Sequence, residues 1–244
     1  MGTSGMKTDR PVFLEDCVDW NGYESADDLS TDLSVMIEKL LLDALSRNNR
    51  ASLAVSGGST PISLFKKISR LELDWTSIDI TLVDDRWVEP SHEDSNESLV
   101  RGYLLKYNAA DASFFPLKNN TESAQVGQSL CEKSLGQLRR PLDVTVLGLG
   151  IDGHTASLFP CSKELSVAMD VNNNSNYIAT TPKSAPHERI SLTRSAISRS
   201  NNIILHITGH SKLDALALAM KTKDSNIMPI YAFLQEPISI YWSP

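Results

Sequence analysis

Cysteine is scarce in this chain: Cys17, Cys131 and Cys161 are the only three in 244 residues, and they form no C-x-x-C pair. An odd, scattered set of thiols excludes a disulfide framework and points to a reducing, cytoplasmic setting. Positive charge is also short. Lys and Arg number 23 against 30 Asp and Glu, and a net charge of -7 argues against nucleic acid or a membrane surface as partner. No apolar run approaches the length of a bilayer span, and no charged leader precedes an apolar segment. Met1-Gly2-Thr3-Ser4-Gly5 before a second methionine, Met6, reads as an appended leader, so residues 1–6 are set apart from a single domain expected over 7–244.

What is present is a regular alternation of strand and helix signals. Ala51–Val55, Ile78–Val83, Val144–Leu147 and Asn202–Thr208 are apolar, β-branched runs that predict buried strands, with further strands at Val12–Leu14, Tyr177–Thr181, Arg189–Thr193 and Ile238–Trp242. Between them, Ser25–Arg47 carries Leu29, Leu33, Met36, Ile37, Leu40, Leu41 and Ala44 at helical spacing, and Ser25 followed by Asp28 resembles a capping box. Shorter helices are expected after Pro61, over Leu99–Leu105 with Asn96 as a cap, over Thr121–Leu138, and from Lys212 onward. This order predicts an α/β fold, a mostly parallel sheet with helices on both faces, whose ligand site lies at the carboxyl ends of the strands.

Polar, glycine-containing loops fall at those ends. In VTVLGLGIDGHTASLFP, Val144–Pro160, the glycines bend the chain after a strand and present Asp152 and His154, an imidazole beside a carboxylate suited to proton transfer near neutral pH. Thr155–Phe159 has room for about one helical turn before Pro160. The competing reading is a histidine that merely satisfies a loop carbonyl. The spelling G-x-G-x-x-G over Gly148–Gly153 invites a dinucleotide, but no full-length helix and no second-strand acid follow it. Cys161 as a thiol nucleophile competes with an ordinary loop or core cysteine.

Ser56-Gly57-Gly58-Ser59-Thr60-Pro61 offers free amides and hydroxyls to an anion, without the Gly-Lys-Ser/Thr ending of a Walker loop. It is one residue short of a nucleophile elbow, which leaves a serine hydrolase using Ser56 open. Asp84-Asp85-Arg86 ends the next strand, and Arg86 and Arg189 present planar donor forks. Lys212 sits at a helix start, where a cation is disfavoured unless it faces an anion. His206 and His210 have metal-like spacing but fall on a strand and in a loop, so no metal site is assigned. One site for a small, phosphorylated, polyhydroxylated molecule results.

Taken together, SGGSTP at Ser56, DDRWV at Asp84, Asn96, GLGIDGHTASLFP at Gly148, RISLT at Arg189 and GHSK ending at Lys212 resemble the 6-phosphogluconolactonase family, relatives of glucosamine-6-phosphate isomerases and deaminases. The resemblance covers nearly the whole chain. Asp85 departs from the glutamate usual in that family, and Thr155-Ala156-Ser157-Leu158-Phe159-Pro160 follows the lactonase form, not the deaminase one. It implies a Rossmann-like fold and cofactor-free hydrolysis of a sugar phosphate lactone by a monomer or weak homodimer. In that reading His154 is the acid/base and Asp152 its orienting partner. Gly57, Gly58, Ser59, Thr60, Asp84, Arg86, Asn96, Gly150, Gly153, Arg189 and Lys212 contact the substrate, with amides of the Gly57-Gly58 and Gly148–Gly153 turns at the oxyanion. An isomerase, a deaminase or a non-catalytic sugar-phosphate sensor remain the alternatives.

Overall fold

The computed structural model describes residues 7–244; the expected leader, 1–6, lies outside them. In chain order the elements are β1 (Lys7–Thr8), β2 (Val18–Tyr23), α1 (Ala26–Asn48), β3 (Ala51–Val55), α2 (Ile62–Ile68), β4 (Ile78–Leu82), β5 (Asp84–Arg86) and α3 (Asn96–Tyr103). Then come β6 (Ser113–Phe115), α4 (Ala124–Ser134), β7 (Val144–Leu147), α5 (Leu165–Ala168), β8 (Tyr177–Thr180), β9 (Arg189–Leu192), α6 (Arg194–Ser198), β10 (Ile203–Thr208), α7 (His210–Thr222) and β11 (Ile238–Ser243).

The main sheet has the order β1-β2-β11-β10-β7-β3-β4-β6, and every pairing in it is parallel except β1 with β2. Strands covered on both faces are predominantly apolar along their length. β3, β4 and β7 are buried at every residue, and their polar members Ser52, Asp79, Thr81 and Thr145 are hydrogen-bonded. From β3 the chain builds outward through β4 and β6, then returns to the other side of β3 with β7 and continues through β10 and β11. The reversal between β3 and β7 is a topological switch point, where loops leave the sheet in opposite directions and open a crevice.

Local signals account for the long helix. Ser25 Oγ accepts the amide of Asp28, Asp27 and Asp28 lie in the positive first turn, and Asn49 closes α1 in the left-handed conformation. Leu29, Leu33, Ile37, Leu41 and Ala44 are wholly buried on its inner face, each large side chain contributing roughly 1.5–3 kcal/mol by leaving water.

Several expectations are corrected. Val12–Leu14 is a turn, with the Leu14 amide bonded to the Pro11 carbonyl; the strand lies later, at Val18–Tyr23. Asp19, Asn21 and Gly22 hid it, and pairing with β11 overrides their poor strand propensity. Ser95 caps α3 and Asn96 is its first residue. α4 starts at Ala124 behind a Ser123 cap, and Thr121 bonds to Asn119 instead. Thr155–Phe159 forms no helix: a Thr155–Leu158 bridge closes a tight turn, with Ala156 at φ 49°.

A second sheet, β5-β9-β8, is antiparallel throughout. The chain changes sheets at Val83. Its N–H donates to Val55 O of β3 at 3.0 Å, and its own carbonyl accepts the Leu192 amide at 2.8 Å. Immediately beyond, the Asp85 carboxylate accepts the amides of Arg86 and Asn96 at 2.8 Å and of Glu97 at 3.1 Å, pinning the start of α3 to β5. Burial pushes this carboxyl up to about 7, while the three donors pull the other way. Asp85→Ala leaves three buried amides without an acceptor and is expected to destabilise the fold by about 2 kcal/mol, read as a lower urea midpoint at unchanged slope.

Candidate active site

The turn after β7 is built around one short bond. Gly150 N–H donates to His154 O at 2.8 Å and Gly153 N–H to Gly150 O at 3.0 Å, which folds Asp152 back so that its Oδ1 lies 2.5 Å from His154 Nδ1. A Cβ on Gly150 would fall 2.1 Å from that Nδ1, and one on Gly153, at φ +81°, would meet the Met228 sulfur at 2.7 Å. Neither glycine tolerates a side chain. The imidazole stacks on Phe159, ring centroids 3.9 Å apart.

Burial pushes the Asp152 carboxyl up, but the hydrogen bond from His154 and the imidazole's charge outweigh it and leave the group below the ordinary carboxylate range. An ionised carboxylate only accepts, so Nδ1 carries a proton, and in the neutral imidazole the lone pair lies on Nε2. Among the described residues Nε2 has no hydrogen-bond partner.

His154 opens onto a cavity of about 270 Å³ at the switch point, lined also by Ser56, Gly57, Gly58, Ser59, Thr60, Asp84, Arg86, Asn96, Arg189 and Lys212. The four strand-end loops anticipated from the sequence therefore converge. They do so because β10, β7, β3 and β4 are consecutive in the sheet. Gly150 and Gly153 are not on the cavity wall; they shape the turn behind it.

Ser56 is a clamp. Its Oγ donates to Val146 O and accepts from Gly148 N, both at 3.0 Å, tying the β3 loop to the β7 loop. A hydroxyl committed in both directions is a poor nucleophile, which argues against the serine-hydrolase alternative. The same bond narrows which of the expected oxyanion amides are open to a ligand. Amides of Gly148, Gly150 and Gly153 are used internally, whereas those of Gly57, Gly58, Ser59 and Thr60 have no partner among the described residues.

Arg86 and Arg189 face each other as register partners of β5 and β9. Arg86 donates to the Asp94 carbonyl at 2.6 Å. Arg189 lies 3.9 Å from Asp84 Oδ2 and stands 5.0 Å over the Phe159 ring. Burial pulls the Arg189 guanidinium down from its usual value, against the attraction of Asp84. Each Nε is buried without a partner, a vacancy for an acceptor such as an anionic ligand. Lys212 adds a third cation from the first turn of α7. Asn96 spends its amide on Asp84 O at 2.9 Å and fills the space a Gly57 Cβ would need, 1.8 Å from its Oδ1.

Sequence reasoning gave no role to Phe159 or Ser157, and none beyond the metal question to His206. Ser157 Oγ donates to Asp84, and His206 is buried at the cavity wall, where desolvation pushes it down to about 4. None of these has a periodic or spacing signal. His210 is exposed against Trp242 and forms no metal-ligating group with His206 among the described residues. Cys161 is off the cavity, 3.2 Å from Ser184.

A family model described as glucosamine-6-phosphate isomerases/6-phosphogluconolactonase matches residues 24–242. The chain belongs to this family. It is 40% identical over 222 residues to a 6-phosphogluconolactonase of Pseudomonas aeruginosa, covering 91% of this chain and 93% of that one. It is also 40% identical over 225 residues to one of Rhizobium meliloti, covering 91% and 97%. A 6-phosphogluconolactonase structure from Shewanella baltica superposes with a TM-score of 0.90 at 41% identity, covering 94% and 98%.

Two outcomes follow from the geometry. Gly150→Ala pushes the imidazole off Asp152, and turnover is expected to fall roughly 100-fold or more while circular dichroism stays native. The Asp152 carboxyl is lower in the folded protein than unfolded, so its pairing with His154 stabilises above the unfolded value, about 3.9, and the benefit is lost as pH falls through the folded one. Urea titrations should show this acid loss in the wild type and a flatter profile in Asp152→Asn.

Proposed function

We propose that this chain hydrolyses 6-phospho-D-glucono-1,5-lactone to 6-phosphogluconate, the second step of the oxidative pentose phosphate pathway. His154 is the acid/base. The observation that carries the reading is the His154 imidazole, oriented by Asp152 with Nε2 unpartnered, on a cavity that also holds Arg86, Arg189 and Lys212. The lactonases to which the chain is similar support the reaction class.

In this mechanism Nε2 takes a proton from water as the water oxygen bonds to the lactone carbonyl carbon. Asp152 stabilises the resulting imidazolium. The carbonyl oxygen becomes negative and meets the free amides of the Gly57–Thr60 turn, which are fixed before the reaction begins. As the tetrahedral centre collapses, the C1–ring oxygen bond breaks and His154 returns its proton to that oxygen. A lactone is an activated ester, so water serves as the nucleophile and no covalent enzyme intermediate is required.

The phosphate fits the cationic wall. The guanidiniums of Arg86 and Arg189 and the ammonium of Lys212, all on the cavity wall, supply charge-assisted bonds, with Ser59 and Thr60 beside them. Every group invoked comes from one chain, so the proposed chemistry needs no second subunit. Three free thiols support a cytoplasmic setting, and no helix among the described residues is long and apolar enough to cross a membrane.

The deciding assay follows freshly generated lactone against its spontaneous hydrolysis. His154→Ala is expected to lose roughly 10²–10⁴ in kcat with KM little changed, and Arg189→Ala to raise KM chiefly. Wild-type turnover no faster than buffer removes the reading. Exchange of a C2 proton with solvent deuterium on a hexosamine phosphate would move the chain to the isomerase and deaminase branch instead.

A further inference from the structure

Away from the catalytic cavity, one set of metal-ligating side chains is gathered among the described residues: His92, Asp94 and His187, with all ligand atoms within 4.8 Å of one another. They come from two different loops, the one joining β5 to α3 and the one joining β8 to β9. His187 Nε2 is 3.0 Å from Asp94 Oδ2, His92 Nδ1 is 3.9 Å from the same oxygen, and the imidazoles meet edge to face with centroids 5.4 Å apart. Hydrolysis as described above uses none of the three.

We propose that His92, Asp94 and His187 bind a first-row divalent cation, with zinc the best fit, and that the ion clasps the two loops bordering the active site. Two imidazoles and one carboxylate match the preference of borderline ions such as zinc, whereas magnesium and calcium require oxygen donors. Ligands around tetrahedral zinc stand about 3.3 Å apart. The Asp94–His187 separation of 3.0 Å is close to that spacing, and His92, 3.9 Å from Asp94 and within 4.8 Å of His187, must move inward to join them. Part exposure of all three leaves the outer coordination position to water.

His187 holds φ at 68°, the left-handed region in which histidine is enriched among residues that carry a Cβ. That conformation directs its imidazole across to the other loop. His92 Nδ1 accepts the Asp94 amide at 3.0 Å and His187 Nε2 is bonded to Asp94 Oδ2 at 3.0 Å, so binding gives up two hydrogen bonds to gain its coordination bonds. A micromolar site is therefore expected, not a permanently occupied one. The clasp also touches the two guanidiniums of the cavity. Arg86 donates to the Asp94 carbonyl at 2.6 Å, and Arg189 reaches Pro186 O, next to His187, at 3.4 Å.

The test is calorimetric titration of chelator-treated full-length protein with zinc chloride, beside a cobalt(II) titration read by visible absorption and thermal melts with and without zinc. One equivalent is expected to bind and to raise the melting temperature. Affinity should drop more than 10-fold in His92→Ala and in His187→Ala, and persist in Cys17→Ser and in His154→Gln. All of these side chains reach solvent, so the variants should fold, which circular dichroism checks. Absence of saturable zinc binding in the wild type would overturn the proposal, as would undiminished binding in the His92→Ala/His187→Ala double variant. The proposal does not depend on the lactonase reading, since none of these readouts is activity.

Discussion

The pairing of β3 with β7 is the constraint on which the site depends. Its register, Val55 opposite Val146, ends both strands level, so the two glycine loops leave the sheet side by side. Ser56 then locks them together through one hydroxyl that donates to β7 and accepts from Gly148. A slip of one residue would turn the buried faces of both strands over and part the loops. The uniformly buried strands make such a slip costly, and the precision of the site rests on that cost.

Upon this frame two devices divide the work. The Gly148–Gly153 turn uses the amides of Gly150 and Gly153 to hold the Asp152–His154 pair in one geometry, with Nε2 unpartnered among the described residues. The Gly57–Thr60 turn does the opposite and keeps its amides free for a ligand. Phe159 connects the parts, with the imidazole stacked on its ring and the Arg189 guanidinium over it. One aromatic side chain thus touches both the imidazole and a cavity guanidinium.

The second sheet supplies what the first cannot. A buried guanidinium, Arg189, beside a half-buried one, Arg86, is repelled by it and poorly solvated, and the fold accepts this cost. Asp84 offsets part of it from 3.9 Å. A phosphate would offset the rest, which makes the cationic wall more stable with ligand than without. Asp85 stands beside these groups and takes no part in them, because its carboxylate is committed to the α3 amides. A shorter side chain at that position keeps the structural bond and costs the cavity nothing.

Much was written locally. Ala51–Val55 and Val144–Leu147 are buried strands because each is apolar but for one small hydroxyl residue, Ser52 and Thr145. Ser25 caps its helix through a neighbour three residues away. Asp152 and His154 meet across two bonds of backbone that glycine allows to fold. Each of these depends on residues close in sequence, so hydrophobic period, capping chemistry and glycine placement determine it. The change of sheet at Val83, the pairing that sets Arg86 opposite Arg189, the strand at Val18–Tyr23 and the meeting of His92 with His187 were decided only by tertiary structure. They join segments with no local preference for one another, and a partner about 100 residues away leaves no period in the sequence. Which amides remain free is of the same kind, since a donor's availability is known only when every acceptor around it has been placed.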